Sequence, residues 1–130
     1  MRPMPNKRKA PGRGRSGSFR ILHEDQDLLV ICKEPGLLTM SFKGDRNPTA
    51  ESLLTDYLRK GSSRAWIRAY TVHRLDRETS GLLVCGCTPS ATRSLKVAFS
   101  RGLVAKTYLA LVLGAREWHF VGGAQRLCEQ

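Results

Sequence analysis

Reactive side chains are concentrated in one short stretch, residues 70–81, which has the sequence YTVHRLDRETSG and lies between two apolar stretches. Polar loops at the ends of strands often hold binding or catalytic groups. This loop places one carboxylate, Asp76, between the guanidinium groups of Arg74 and Arg77. Two cations beside a carboxylate favour its ionised, nucleophilic form, and they also attract polyanions. One chemistry open to this stretch is therefore covalent catalysis by Asp76 on an anionic substrate.

Two other catalytic arrangements use the same residue types. His73, Asp76 and Ser80 are the side chains of a hydrolase triad, but Ser80 lacks the G-x-S-x-G context, and such short spacing seldom gives triad geometry. The sequence HRLD is similar to a kinase catalytic loop, but no downstream asparagine follows and no glycine-rich phosphate loop precedes it. From these residues alone, the stretch is either an active site or a structural network of ion pairs and turn caps, and both interpretations stay open.

The elements that must position this stretch belong to an α+β domain. Hydrophobic periodicity and turn and cap signals predict six of them. The last predicted strand has aliphatic side chains on both faces, which is typical of a strand that is covered on each side. Together the elements predict a mixed, largely antiparallel sheet with flanking helices. The elements are strands over 19–23, 28–32, 81–87 and 103–113, a helix capped at Asn47 that runs to about Lys60, and a helix that begins at Thr88-Pro89 and ends before Gly102.

The positive charge is concentrated at the N-terminus. The 130 residues include 22 Lys and Arg against 11 Asp and Glu, which gives a formal net charge of +11. Prolines, glycines and basic residues without acids predict a disordered basic arm over 1–18, followed by a single domain. The arm is either a segment that captures RNA or DNA electrostatically or a solvated tail that aids solubility, and the sequence supports both.

Several protein classes are excluded by the composition. No apolar run approaches the roughly 20 residues that a membrane-spanning helix needs. The N-terminus lacks the apolar segment of a secretory signal, so the four cysteines are expected to be reduced thiols of a cytoplasmic protein. Cys85-Gly86-Cys87 lacks the spacing of a zinc site and has no second pair, so no metal is expected and both thiols are predicted core residues.

The stretch HRLDRETSGLL at residues 73–83 resembles the signature of the RluA-type pseudouridine synthases, HRLDxxTSG followed by a strand. Three further segments resemble the same family in order and spacing. Together they extend the resemblance over about residues 19–114. They are ILHEDQDLLVICKEPGLL at 21–38, Thr88-Pro89 with its helix, and KTYLALV at 106–112.

The resemblance implies isomerisation of uridine to pseudouridine in structured RNA, either ribosomal or transfer RNA, without a cofactor. It assigns Asp76 as the nucleophile, Tyr108 as the active-site tyrosine and Arg74 as the arginine near the flipped nucleotide. The partner is then RNA, and basic side chains are expected to contact it. These expected RNA-binding residues are Arg77, Lys106, Lys33, Lys7, Arg8, Lys9, Arg13 and Arg15.

The sequence also departs from the family pattern. The family has a later T-G-R-x-H-Q-I-R segment, whose basic residue completes the site, and residues 115–130 resemble no part of the family. We therefore expect an N-terminal part of the catalytic domain over 19–114 and an atypical tail over 115–130, as in a truncated form. The alternative to an active enzyme is a catalytically inactive remnant that still binds RNA.

Overall fold

The computed structural model describes residues 18–43, 46–60, 67–111 and 113–114. Within these ranges it contains a four-stranded antiparallel sheet of order β1-β2-β4-β3 and two helices. The α+β class and the largely antiparallel sheet are therefore confirmed. Residues 1–17 of the predicted basic arm over 1–18, and the tail over 115–130, lie outside the described residues. The elements are β1 (Phe19–Glu24), β2 (Leu28–Lys33), α1 (Ala50–Arg59), β3 (Tyr70–Thr71), β4 (Gly81–Gly86) and α2 (Pro89–Ser100).

The predicted pairing of the first two strands is confirmed, and Asp25 organises the turn between them. Its Oδ1 accepts hydrogen bonds from the backbone N–H groups of Asp27 and Leu28 at 2.8 and 2.9 Å. A carboxylate that accepts backbone N–H groups in this way builds the turn from its own side chain. The resulting hairpin brings Phe19 opposite Lys33.

The core lies on one face of the sheet. Leu29 and Ile31 of β2 and Leu83 and Cys85 of β4 alternate with less buried neighbours, as strand geometry requires. Cys85 is thus a core residue as predicted, and burial raises the pKa of its thiol to about 12. Helix α1 adds Ala50, Leu54, Tyr57 and Leu58 to this core, and the remaining members come from β1 and from loops.

Helix α1 begins two residues later than the sequence predicted. Thr49, not Asn47, is the N-cap, because Thr49 and Ser52 form a reciprocal capping box. The Thr49 Oγ1 accepts from Ser52 N–H at 3.2 Å, and the Ser52 Oγ accepts from Thr49 N–H at 2.9 Å. Two orphan backbone donors are satisfied at once by this pair, which outweighs the proline signal that follows Asn47.

Helix α2 has the predicted ends. Thr88 is its N-cap, Pro89 occupies its first turn, and Gly102 follows it with a φ of +68°. The helix rests on β4 at Gly86, where an added Cβ would lie 2.8 Å from the Cα of Thr92. The close approach of backbone to backbone therefore depends on the absence of a side chain at position 86. None of the helices in the described ranges is long and apolar enough to cross a membrane.

The predicted strand over 103–113 is wrong. Its described residues form no strand, and Leu109 and Leu111 are 94% and 97% exposed. Residues 103–111 have the apolar and β-branched composition of a strand, but a strand forms only where a neighbour takes its backbone hydrogen bonds. Among the described residues, no strand pairs with this segment.

Candidate active site

The loop between β3 and β4, residues 72–80, carries the cluster of reactive side chains. Hydrogen bonds to three other parts of the fold hold the loop at alternate residues. They bind the His73 ring, the Leu75 backbone and the Arg77 carbonyl. Because neighbouring side chains of an extended segment point in opposite directions, this anchoring leaves Arg74 and Asp76 on the outer side. The loop is therefore held at three residues, and between them it presents two exposed, oppositely charged groups.

His73 is the first anchor. Its Nε2 accepts a hydrogen bond from the backbone N–H of Val84 at 2.9 Å, so the neutral ring carries its proton on Nδ1. The ring stacks on Phe99 of α2, with centroids 4.4 Å apart and planes inclined by 10°. Burial and the positive charge of Lys106 lower the pKa of His73. His73 therefore positions the loop as an uncharged residue.

Leu75 is the second anchor. It is buried, and both of its backbone polar groups bind the Oγ1 of Thr39: the hydroxyl donates to the Leu75 carbonyl at 2.6 Å and accepts from its N–H at 3.1 Å. The carbonyl of Thr39 in turn accepts from the N–H of Glu51 in the first turn of α1, at 3.1 Å. One buried threonine thus connects the reactive loop to α1.

The carbonyl of Arg77 is the third anchor, and Lys33 holds it. Lys33 is buried, and its Nζ donates to the carbonyls of Glu34, Leu37 and Arg77 at 3.1, 2.8 and 3.1 Å. The N–H of Gly36 donates to the same Arg77 carbonyl at 2.8 Å. All three ammonium protons of Lys33 have protein acceptors, so this ammonium group has no proton left to donate to the RNA phosphate that we expected it to contact.

Lys33 nevertheless acts on the site electrostatically. Burial lowers the pKa of its ammonium group, while the negative charges of Glu78 and Asp76 oppose this shift. The buried cation is therefore compensated by acids of the same loop that it supports. A buried charge is retained when it is paired and hydrogen-bonded in this way.

Asp76 is presented to solvent at the tip of the loop, with 83% of its side chain exposed. Its Oδ1 lies 3.8 Å from the Nη2 of Arg74, whose side chain is 55% exposed. The guanidinium carbon of Arg74 lies 5.5 Å from the ring centroid of Phe42. A carboxylate, a guanidinium group and an aromatic ring thus follow one another on one open surface.

The family profile for RNA pseudouridylate synthase matches residues 27–121, which include the whole of this loop and both helices. The chain belongs to the RNA pseudouridylate synthase family. The resemblance of residues 73–83 to the RluA-type signature is thereby confirmed.

Curated relatives and a solved structure agree with this assignment. A tRNA pseudouridine synthase C of Yersinia pestis is 34% identical over 96 residues, 74% of this chain and 35% of that protein. A ribosomal large subunit pseudouridine synthase D of Nitrosomonas europaea is 38% identical over 99 residues, 76% of this chain and 28% of that protein. Human RNA pseudouridylate synthase domain containing 4 shares the fold, with a TM-score of 0.53 and 24% identity, over 63% of this chain and 30% of its own. The chain thus spans about a third of the length of the relatives that it matches.

Tyr108, which the resemblance assigns to the family's active site, lies in the irregular segment after α2. Its side chain is exposed, and no hydrogen bond or ring contact among the described residues joins it to Asp76. Lys106 is exposed in the same segment, near enough to His73 to lower its pKa. The side chain of Arg77 is also exposed. The expected RNA contacts at Lys7, Arg8, Lys9, Arg13 and Arg15 lie outside the described residues.

Sequence reasoning missed two residues of this candidate site. Thr39 has no local signal, because its role depends on Leu75, 36 positions later. Phe42 carried a weak signal, since an aromatic residue between Ser41 and Lys43 has no apolar neighbour to pack against. Within the described ranges, no three His, Cys, Asp or Glu side chains are grouped closely enough to hold a metal ion.

Proposed function

We propose that residues 19–114 are the N-terminal part of the catalytic domain of an RNA pseudouridine synthase that isomerises uridine to pseudouridine, with Asp76 as the nucleophile. The observation that carries this proposal is the exposed Asp76 carboxylate, set on a loop that is anchored at His73, Leu75 and the Arg77 carbonyl. A nucleophile must be accessible and held in one place, because positioning supplies much of the rate. Arg74, 3.8 Å away, is the proposed neighbour of the flipped nucleotide.

The proposed reaction needs neither a redox partner nor a group donor, because substrate and product are isomers. The N1–C1′ bond of uridine breaks and a C5–C1′ bond forms. The proton on C5 leaves, and N1 of the rotated ring takes up a proton. Asp76 either adds to the ribose at C1′ or assists departure of the base, and no cofactor is part of the proposal.

The loss of the C5 proton gives a direct assay. Unmodified ribosomal and transfer RNA transcripts labelled with tritium at C5 of uridine release tritium to water on turnover. We expect release with the parent chain and less than a tenth of it with Asp76→Asn, which keeps the volume but not the nucleophile. Glu78→Gln is the matched control, because Glu78 is an exposed acid of the same loop. Equal release by the parent and Asp76→Asn would exclude the nucleophilic role.

We propose RNA as the partner, in the form of ribosomal or transfer RNA, because the relatives named above carry those substrates in their names. Arg77 and Lys106 are the exposed basic residues near the loop that would contact phosphate, together with the basic arm. Phosphate contacts of this kind give affinity without sequence selection.

Free thiols at Cys32, Cys85 and Cys87 support a cytoplasmic location.

A catalytically inactive RNA-binding remnant is the second candidate function. It is favoured by one observation: Tyr108 lies on an exposed, irregular segment without a contact to Asp76 among the described residues. The same tritiated RNA separates the two candidates. Retention of RNA without release of tritium supports the remnant, whereas release of tritium supports the enzyme.

A further inference from the structure

Phe42 is an aromatic residue that the protein core does not use. It lies on the segment after Thr39, with 54% of its surface exposed, and it is not a member of the buried cluster. Its neighbours Ser41 and Lys43 are exposed as well. Single exposed apolar residues are common and need no explanation by themselves. The position of Phe42 beside the reactive loop is what distinguishes it.

The ring of Phe42 is part of a continuous row of groups that ends at Asp76. The guanidinium carbon of Arg74 lies 5.5 Å from the ring centroid, within cation–π range, and Nη2 of the same group lies 3.8 Å from Asp76 Oδ1. Arg74 therefore lies between two partners, the ring of Phe42 and the carboxylate of Asp76. The ring limits the positions that this long side chain can occupy beside the carboxylate.

The two segments that carry this row are fixed to each other. Thr39, three residues before Phe42, binds both backbone groups of Leu75, the residue between Arg74 and Asp76. A buried link three residues before Phe42 thus holds its segment beside the tip of the loop. Preorganised aromatic and guanidinium surfaces bind a flat ligand with little loss of conformational entropy.

We propose that Phe42 and Arg74 form a stacking platform for an unpaired nucleobase that flanks the target uridine. Single-stranded RNA is recognised by stacking its bases on aromatic rings and guanidinium planes, which is the chemistry present here. The inference rests on the proposed function, since it places the target uridine at Asp76. Phe42 binds the neighbouring base and holds Arg74, and it takes no part in bond breaking.

The platform is tested by binding, with fluorescently labelled single-stranded RNA that contains one uridine. A second RNA has abasic sites at the positions on either side of the uridine. We expect Phe42→Ala to weaken binding of the intact RNA by about 5- to 150-fold, the range for one stacked base. Binding of the abasic RNA should be nearly unchanged by the same substitution. Phe42→Trp should restore affinity for the intact RNA, and Phe42→Leu should not, because leucine keeps apolar volume without a π face.

Controls separate stacking from other causes. Leu82→Ala removes an exposed apolar side chain of β4 and should leave both affinities unchanged. Unfolding midpoints of all Phe42 variants should match that of the parent, because the ring is outside the core. If Phe42→Ala weakens both RNAs equally, or if Phe42→Leu binds like the parent, the platform does not exist. A parent chain that binds intact RNA no better than abasic RNA overturns it too.

The binding result is independent of turnover. If Asp76→Asn and the parent release equal tritium while the Phe42 variants show the expected pattern, the proposed nucleophile fails and the platform stands. If tritium release depends on Asp76 and the Phe42 pattern is absent, the platform fails and the proposed function stands.

Discussion

Thr39 and Leu75 exchange two hydrogen bonds through a single hydroxyl group, which donates to the Leu75 carbonyl at 2.6 Å and accepts from its N–H at 3.1 Å. Both residues are buried. The Thr39 hydroxyl therefore provides hydrogen-bond partners for the N–H and the carbonyl of Leu75, which are buried away from water. It also explains how an exposed loop holds Arg74 and Asp76 in a defined arrangement.

Replacement of Thr39 by valine should destabilise the protein and loosen the reactive loop. Valine has nearly the same shape but leaves the N–H and carbonyl of Leu75 without partners, at about 1–3 kcal/mol for each buried group. We expect the free energy of unfolding in urea to fall by about 2–6 kcal/mol. Thr39→Ser retains the hydroxyl and should lose less than half as much. If valine and serine have equal effects, the hydroxyl is not the cause.

His73 should make stability decrease as the pH falls below 6.5. Its pKa is lowered from the usual 6.5, chiefly by burial and also by Lys106. The unfolded chain therefore takes up a proton at a higher pH than the folded one. The contribution of neutral His73 to the free energy of unfolding is complete above the ordinary pKa of 6.5. It is lost as the pH falls through the lowered pKa of the folded state, with a slope of at most about 1.4 kcal/mol per pH unit.

The variant His73→Gln isolates this titration. Glutamine offers an acceptor for the N–H of Val84 but has no charge to gain. Urea unfolding at pH 5, 6 and 7 should show a smaller dependence on pH for the variant than for the parent. Parallel curves for the two proteins would assign the pH dependence to other groups.

Gly86→Ala should detach α2 from the sheet. The added Cβ would lie 2.8 Å from the Cα of Thr92, closer than real contacts allow, and backbone cannot rotate away as a side chain can. Overpacking of this kind costs about 1–3 kcal/mol. Hydrogen exchange should show lost protection in Pro89–Ser100, while β2, the neighbour of β4 in the sheet, keeps its protection. Uniform loss in both elements would indicate global destabilisation instead.

The basic arm should contribute to RNA binding through phosphate charge alone. Deletion of residues 1–18 removes six basic residues while Arg20 remains. For single-stranded RNA, six phosphate contacts correspond to a slope of about 4 in a plot of log affinity against log salt. We expect the deletion to weaken binding and to reduce the slope by up to that amount. An unchanged slope would show that the arm does not contact RNA.

Local signals in the sequence were sufficient for most of the secondary structure. The ends of α2 follow from Thr88-Pro89 and Gly102, whose effects act within one turn. The start of α1 was misplaced because Asn47 and Thr49 are both capping residues, and only the reciprocal bond from Ser52 decides between them. Local chemistry thus locates a helix more surely than its first residue.

Long-range partners account for what the sequence could not reveal about the site. A lysine is normally solvated, but Lys33 is buried because a carbonyl 44 positions away joins two local ones around its ammonium group. The link from Thr39 to Leu75 has the same origin. The residue types at Arg74 and Asp76 predict covalent catalysis by a carboxylate beside a cation. The hydrogen bonds that hold their loop come from residues distant in the sequence, and the spacing of residues within the loop does not reveal them.

The segment after α2 should promote self-association. Leu109, Leu111 and Leu113 are each more than 90% exposed and stand at alternate positions, so an extended backbone would place them on one face. Exposed apolar segments with free backbone groups pair with one another. We expect sedimentation velocity to show oligomers whose fraction rises with protein concentration. Leu109→Lys with Leu111→Lys should shift the distribution towards the monomer, while Val97→Lys on the exposed face of α2 should not. A parent chain that stays monomeric at high concentration would show that these leucines are covered in solution, and the double variant would then lower the thermal midpoint instead of improving solubility.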